Sequence, residues 1–220
     1  MTPRLKEIAS HVQSGASLVD VGSDHAYIPI FLVGNGRAER ALCTDINDGP
    51  LKHSRENISQ YGLSHKIKTQ KANGLSGVDL NDYDTVIIAG MGGMLIWDIL
   101  KQADSPGDKR FILQPMTAIA ELREALLGNG FTIEHEHFVP EGEKVYVVME
   151  VIWKRDFPYS PLELLVGRNT KGSPNFALWK TQIQAKLEKR ILGLKRAKNR
   201  NAEEIARLEQ LLKELCKNDN

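Results

Sequence analysis

Cysteine is nearly missing from this 220-residue chain: Cys43 and Cys216 are the only two, and they lie far apart. They supply neither a disulfide framework nor a cysteine-based metal cluster, so a reducing compartment is expected and no metal. Long apolar runs are missing too. Nothing approaches the roughly 18 uninterrupted residues of a membrane span, and the opening Met1-Thr-Pro-Arg-Leu-Lys6 has no signal-peptide core. The expectation is a soluble, cytoplasmic protein with no membrane partner. No internal repeat or low-complexity tract is present.

Net charge is also close to absent, at +1, but the small sum hides a split. Lys154 to Asn220 carries 15 Lys/Arg against 8 Asp/Glu, whereas Met1 to Trp153 carries 14 against 20. A basic tail on an acidic body suits contact with a polyanion; a solvated pair of charged helices would have the same composition. The length accommodates one full α/β domain and an appendage of some tens of residues.

What is present is a run of short apolar strands alternating with helical or loop segments. Leu5, Ile8 and Val12 share one face of a helix over about 3–13, which Gly15 ends. Strands are then expected at Ser17–Val21, Ala41–Asp45, Lys66–Lys71, Thr85–Ala89 and Phe111–Gln114. Alternation of this kind implies a parallel sheet with right-handed crossovers. A helix over about 118–127 stops at Gly128-Asn-Gly130. Phe131–Val139 and Tyr146–Trp153 flank Pro140-Glu-Gly-Glu143 and read as an antiparallel hairpin. A mainly parallel sheet finished by an antiparallel pair resembles the seven-stranded class I methyltransferase fold.

The prolines of Asp156-Phe-Pro-Tyr-Ser-Pro161 mark a boundary, giving units over 1–155 and 156–220. In the second unit Ser173-Pro174 reads as a capped helix start. Leu178, Ile183, Leu187, Ile191 and Leu194 recur at helical spacing, and Asn201 with Glu204 opens a second helix carrying Ile205, Leu208, Leu212 and Leu215. The expected form is an antiparallel coiled-coil hairpin whose first helix, of roughly 25 residues, would project nearly 40 Å.

The chemistry-bearing residues gather at expected strand ends. Asp20 and Gly22 close the first strand, and Gly22-Ser23-Asp24-His25-Ala26-Tyr27 follows. Asp24 and His25 to Tyr27 stand where Gly-x-Gly-x-x-Gly needs glycine, so no pyrophosphate cradle exists and Asp24 would repel one. That pattern disfavours a nicotinamide oxidoreductase. A cationic sulfonium with a free amino group matches these carboxylates better; the competing reading is a turn capped by its own aspartates. Asp45, in Thr44-Asp-Ile46-Asn47, stands where a carboxylate binds both ribose hydroxyls of an adenosyl group. Asn73 and Gly74 could flank the adenine edge, and Ala89-Gly90-Met91-Gly92-Gly93 reads as a flexible glycine loop admitting a planar substrate. Gln114 and Pro115 end the fifth strand and could complete the wall.

Asp20-Val-Gly-Ser-Asp-His-Ala-Tyr-Ile-Pro29, Thr44-Asp-Ile-Asn47, Ala89-Gly-Met-Gly-Gly93 and the helical tail resemble the bacterial tRNA adenine-22-N1 methyltransferase family across essentially the whole chain. The resemblance implies S-adenosylmethionine as cofactor, a class I Rossmann-like α/β fold, and N1 of an adenine in the tRNA D-arm as acceptor. The cofactor is expected on Asp20, Gly22 to His25, Asp45 to Asn47, Asn73, Gly74 and Ala89 to Met91, and the reacting base near Asp24, Tyr27, Met91 and Gly92. His25 reads equally well as a structural turn donor. Lys186, Lys189, Arg190, Lys195, Arg196, Lys198 and Arg200 are the expected RNA contacts. A monomer is expected. Another RNA, a protein or a small molecule as acceptor, or a cofactor-sensing module without catalysis, are the alternatives.

Overall fold

The structure is a computed structural model and describes residues 1–168, 170, 173–197 and 201–217. Along the chain run α1 (Pro3–Ser10), β1 (Ala16–Val21), α2 (Tyr27–Gly34), β2 (Ala38–Asp45), α3 (Asp48–Gln60), β3 (Ile67–Lys71), β4 (Thr85–Gly92), α4 (Gly93–Leu100), β5 (Arg110–Thr117), α5 (Ile119–Gly128), β6 (Thr132–Glu141) and β7 (Lys144–Ile152). The tail adds α6 (Pro161–Val166), α7 (Phe176–Arg196) and α8 (Ala202–Lys217). The strands form one sheet in the order β3-β2-β1-β4-β5-β7-β6. All neighbours are parallel except β7, which runs antiparallel to both β5 and β6. This is the expected α/β architecture with its closing hairpin.

The central strands are apolar on both sides because both sides are covered. Leu18, Cys43, Ile87, Ile112 and Val148 pack with Ile8, Ala9 and Val12 of the first helical segment and Ile28, Leu32 and Ile58 of α2 and α3. Their alternating neighbours Val19, Val86, Ile88, Phe111, Leu113, Val147 and Met149 face α4, α5 and the tail.

The tail is welded to that second face. Trp179 is fully buried, stacks on Phe138 with centroids 5.8 Å apart, and donates its indole N–H to the Val166 carbonyl. Gln182 brackets Val145, its amide oxygen accepting from the backbone N–H at 2.8 Å and its nitrogen donating to the carbonyl at 3.0 Å. Ile183, Leu187 and Ile191 of α7 join Leu208 and Leu215 of α8 in the core that reaches the sheet. Helix α7 therefore has 21 residues, about 31 Å, and lies partly on the sheet instead of projecting freely. Arg123, fully buried, adds a second tie. It donates twice to Glu136 of β6 and, through Nη1, to the carbonyls of Leu164 and Leu165 at the end of α6.

The expected helix start at Ser173-Pro174 is displaced. α7 begins at Phe176 behind Asn175, whose left-handed backbone (φ 63°) lets its side chain donate to the Phe138 carbonyl. The Ser-Pro start is realised instead at Ser160-Pro161, where Glu163 closes a full capping box. The two dipeptides differ in the residue three positions after the serine, Glu163 against Phe176, and a phenyl ring has no acceptor to return the second hydrogen bond. The Asn201 cap of α8 is in place, accepting from the Glu204 N–H at 3.0 Å.

Helix α1 is clamped by an imidazole–carboxylate cage. The His11 and His137 rings stack with centroids 3.7 Å apart. Glu150 Oε1 lies 3.0 Å from His11 Nδ1 and from His137 Nε2, and Glu7 Oε1 lies 3.0 Å from His11 Nε2. Burial disfavours the charged His11 ring, but the hydrogen bonds and charges of Glu150 and Glu7 outweigh it and hold its pKa above the ordinary 6.5. Glu150 is likewise penalised by burial yet is pushed well below the usual carboxylate value by the two rings. The raised histidine contributes stability fully below pH 6.5 and loses it as pH climbs through its folded value; the lowered glutamate contributes fully above about pH 4.5. Wild type should therefore exceed Glu150→Gln by about 1–3 kcal/mol near pH 6, and the gap should narrow towards pH 9, leaving the share due to Arg110 on Glu150. Urea unfolding of both proteins at the two pH values measures this, and an equal gap at both would remove the cage from the account.

Candidate active site and the groove beside it

The sheet order reverses between β1 and β4, and the carboxyl ends of these strands frame a cavity of about 240 Å³. Crevices at such a reversal hold ligands in open α/β sheets. Its lining includes Asp20, Gly22, Ser23, Asp24 and Tyr27 from the β1 end, Ala89 and Gly90 from the β4 end, and Arg4 from α1.

The turn after β1 is built by hydrogen bonds, not by glycine alone. Past the end of the strand pairing, the Thr44 carbonyl of β2 accepts from both Gly22 N–H (2.8 Å) and Ser23 N–H (2.9 Å). Ser23 donates its hydroxyl to Asp20 at 2.6 Å. Burial pushes the Asp20 carboxyl up to about 6, with the Ser23 bond pulling the other way. The chain then passes through left-handed His25 (φ 67°) and Ala26 (φ 54°), two non-glycine residues in succession. Such positions cost about 1–3 kcal/mol each and persist only when neighbours enforce them. The neighbours here are Ser54 and Asn57 of α3, which donate to the carbonyls of Ser23 (2.9 Å) and His25 (3.0 Å). Gly22 is favoured as glycine by its φ of 71°, and a Cβ there would stand 2.1 Å from Met91 Cε, so the end of that side chain would have to shift.

At the mouth, the rings of Tyr27, His25 and His53 stack with successive centroid separations of 5.2 and 5.0 Å, and Asp24 lies 3.5 and 3.6 Å from His25 and His53. Asp24 and Tyr27 are both half exposed, with Tyr27 at 49%. Asp24/His25/His53 and Glu7/His11/His137 each bring donor atoms within reach of a single cation. The paucity of cysteine does not speak to such histidine sets.

Further along the rim, Asp45 Oδ1 accepts from the Asn47 N–H at 2.7 Å, and Ile46 and Asn47 are exposed. Asn73 is exposed at the end of β3, while Gly74 packs against Gln102 and Ile99 of the α4 region. These residues share the rim with the cavity without lining it. The glycine run after β4 is not a flexible loop. β4 continues through Gly92 alongside β5, pairing Met91 with Pro115 and Gly92 with Thr117 across register shifts at Ala89/Met91 and Met91/Gly92, and α4 starts at Gly93. Gly93 has a packing reason: a Cβ there would lie 2.3 Å from the Ala118 carbonyl oxygen. Gln114 is fully buried; its amide oxygen accepts from Gly90 N–H (3.2 Å) and from Arg4 Nη1 (2.6 Å).

A second concavity of about 730 Å³ adjoins this rim. It runs between α7 and the β6–β7 turn and is lined by Pro115, Met116, Tyr146, Leu178, Lys144, Lys186 and Lys189 among others. Lys186 stands 5.7 Å over the Trp179 ring, and burial together with Lys144 lowers its pKa. Of the cations expected to meet RNA, Lys186 and Lys189 face this groove. Arg190 and Lys195 are engaged by Glu204 and Glu209 of α8, Arg196 is exposed, and Lys198 and Arg200 lie outside the described residues. Arg4, Ser54, Asn57 and Lys144 escaped the sequence reading. Arg4 had a local signal, since Thr2-Pro3 caps α1 and places Arg4 on its first turn beside the apolar stripe.

A seven-stranded sheet with β7 alone reversed and an acidic cavity at its switch point is that of a Rossmann-like methyltransferase, and the model of the methyltransferase domain matches residues 1–149. The tRNA (adenine(22)-N(1))-methyltransferase of Bacillus subtilis (strain 168) is 33% identical over 170 residues, 76% of this chain and 71% of that protein. The chain belongs to the tRNA (adenine(22)-N(1))-methyltransferase family. A Streptococcus pneumoniae protein, a candidate tRNA (m1A22) methyltransferase solved in complex with S-adenosyl-L-methionine, superposes with a TM-score of 0.86 at 32% identity, covering 98% of this chain and 99% of that one. M. capricolum TrmK in complex with S-adenosyl-homocysteine gives 0.85 at 25% identity, covering 99% and 96%.

Because Asn57 reaches only the backbone and ring of His25, Asn57→Ala should leave the core intact and free the strained turn. S-adenosylhomocysteine affinity measured calorimetrically should fall about tenfold, the worth of one partly buried hydrogen bond, with the melting temperature lowered by only a few degrees. Unchanged affinity would mean that the turn holds itself.

Proposed function

We propose that this chain transfers the methyl group of S-adenosylmethionine to N1 of adenine 22 in the D-arm of tRNA, acting in the cytoplasm as a monomer. The observation that carries the reading is the pairing of an acidic cavity at the β1–β4 switch point with a lysine-lined groove on the same rim. The residues fit the cofactor. Asp20 and Asp24 would favour its cationic groups, Asp45 stands at the neighbouring strand end where a carboxylate would hold the ribose hydroxyls, and Asn47 and Asn73 are exposed on the rim where they would meet the adenosine.

The cofactor supplies an activated methyl carbon, which the N1 lone pair of a neutral adenine attacks in line as the carbon–sulfur bond breaks. Creating the nucleophile requires no general base, and the methylated base emerges as a cation. The protein's part is alignment, which can supply about 7–11 kcal/mol, and negative charge near the developing positive one. Asp24 is the exposed carboxylate at the mouth, and Tyr27 beside it offers a ring on which an unstacked base can lie. Met91 covers Gly22 and Gly92 closes β4, so both shape the floor beneath that base. Extracting adenine from folded RNA costs a few kcal/mol, which phosphate contacts to Lys144, Lys186 and Lys189 of the groove would repay. No helix among the described residues is long and apolar enough to cross a membrane. Cys43 and Cys216 are both free thiols, as a reducing compartment permits.

The decisive experiment is methyl transfer from labelled cofactor to an unmodified tRNA transcript, with the product mapped. N1-methyladenosine at position 22 is expected, and its loss when that base is guanine; a protein that binds cofactor but labels no tRNA would overturn the assignment. Asp24→Ala should cut turnover by about a hundredfold or more, as loss of a group facing developing charge does, with little change in melting temperature. Equal loss of activity and stability would make Asp24 a structural cap. Lys186→Glu with Lys189→Glu should weaken tRNA binding about tenfold or more near physiological salt and flatten its dependence on salt concentration, leaving S-adenosylhomocysteine affinity untouched. An unaltered salt slope would move the RNA surface elsewhere.

A further inference from the structure

The groove between α7 and the β6–β7 turn is more apolar than phosphate contacts require. Met116, Tyr146 and Leu178 line it, and Leu178 and Met116 remain 52% and 40% exposed. Large apolar side chains gathered in one concavity mark a contact surface. The charged part of the lining is mostly cationic, with Lys144, Lys186 and Lys189 against Glu143. These cations differ from their neighbours on α7. Arg190 and Lys195, turned towards α8, are paired with Glu204 and Glu209, whereas no carboxylate among the described residues pairs with Lys144, Lys186 or Lys189. Burial and the like charge of Lys144 push the Lys186 ammonium down from its ordinary pKa, so an anion arriving from outside would relieve both lysines.

The groove also begins where the cofactor-sized cavity ends. Arg4 lines the cavity, and its guanidinium lies 5.3 Å from the ring centre of Tyr146, which lines the groove. One cation–ring pair therefore separates the two. On the floor, Met91 pairs with Pro115 of β5, and the next residue is Met116, whose sulfur accepts from Gln114 Nε2 at 3.6 Å. A cationic groove with aromatic and apolar side chains along its wall is the arrangement that receives single-stranded nucleic acid, the cations following phosphates while the wall takes bases. A double-stranded stem keeps its bases stacked inside and would leave Met116 and Leu178 facing water.

We propose that this groove is a second base subsite, in which an unpaired nucleotide next to the target adenine lays its base on Met116, Tyr146 and Leu178 and its phosphate among the three lysines; this rests on the methyltransferase reading above. Two consecutive nucleotides then leave the RNA stack together. Unstacking costs least where a base is already unpaired, so the subsite selects adenines that border a loop or a frayed pair. It does not read the identity of the neighbour, because every base has a face to stack.

The test compares an intact, unmodified tRNA transcript with two that carry an abasic residue immediately 5′ or immediately 3′ of the target. With labelled cofactor, wild type should lose about fivefold or more in kcat/KM on one of the abasic transcripts, the worth of one stacked base. Met116→Ser with Leu178→Ser should lose a similar factor on the intact transcript, and no more than about twofold further on that abasic one, because the two changes remove the same contact. S-adenosylhomocysteine affinity by calorimetry should be unchanged in this double variant, showing that its fold and cofactor cavity are intact. Its tRNA binding should keep the wild-type salt slope, since stacking releases no counterions; a slope flattened as by the lysine reversals would overturn the division of the groove into wall and cations. The proposal fails if neither abasic transcript differs from the intact one. It fails as well if the double variant loses as much on the abasic transcript as wild type does, which would assign the loss to the RNA's own fold. A wild type that labels no transcript would instead bring down the methyltransferase reading, and the subsite with it.

Discussion

One carbonyl group organises the candidate site. The Thr44 oxygen at the end of β2 accepts from two successive amides, Gly22 and Ser23, after β1 has ended, and so bends the outgoing chain across the switch point. Everything acidic on the rim follows from that bond. It brings Ser23 under Asp20, and it sets the trajectory through left-handed His25 and Ala26 that lifts Asp24 and Tyr27 to the mouth. The next residue in β2 is Asp45, so the same stretch of strand that fixes the turn carries the carboxylate proposed for the ribose. Acids at two neighbouring strand ends are thereby placed by one hydrogen-bonding unit.

The rest of the molecule keeps that unit rigid and gives it a partner surface. Helices cover both sheet faces, and the tail is continuous with one of them through Trp179, Gln182 and the buried Arg123–Glu136 pair. A buried ion pair contributes little net stability, but breaking one is expensive, so it fixes where α6 must lie. From that position α7 can border the carboxyl-end rim of the sheet, and the groove between them carries the lysines while the cavity carries the aspartates. The charge split of the sequence, basic after Lys154 and acidic before it, becomes a spatial separation between a surface suited to polyanionic RNA and a pocket suited to a cationic cofactor.

Much of this was legible before any coordinates. Strand positions followed from apolar runs such as Val86-Ile-Ile-Ala89, and their placement on one rim from the alternation with helices. The hairpin followed from Pro140 to Glu143. Readings that went astray did so where local signals were degenerate. Ser173-Pro174 and Ser160-Pro161 look alike until Glu163 closes a box. Ala89 to Gly93 looks like a loop by composition, yet it is the irregular end of β4 beside β5, in which Gly90 takes a positive φ and Gly93 meets the Ala118 carbonyl. A helix with leucines every third or fourth residue looks like a free arm whether or not a sheet lies under one of its faces.

The residues that were missed share a property: their roles depend on partners distant in sequence. Arg4 meets Gln114, Asn57 meets His25, and Lys144 meets Lys186 only after the chain has folded. By itself the sequence determined periodicity, and with it the strands, the helices, the acidic strand ends and the basic tail, because each of these is written in spacings of two to four residues or in composition. Only the tertiary structure decided which acids share a cavity, that a cation from the first helix joins them, and that the tail lies against the rim. Those outcomes depend on contacts across tens of residues, where loop closure and packing, and no local preference, select the neighbour.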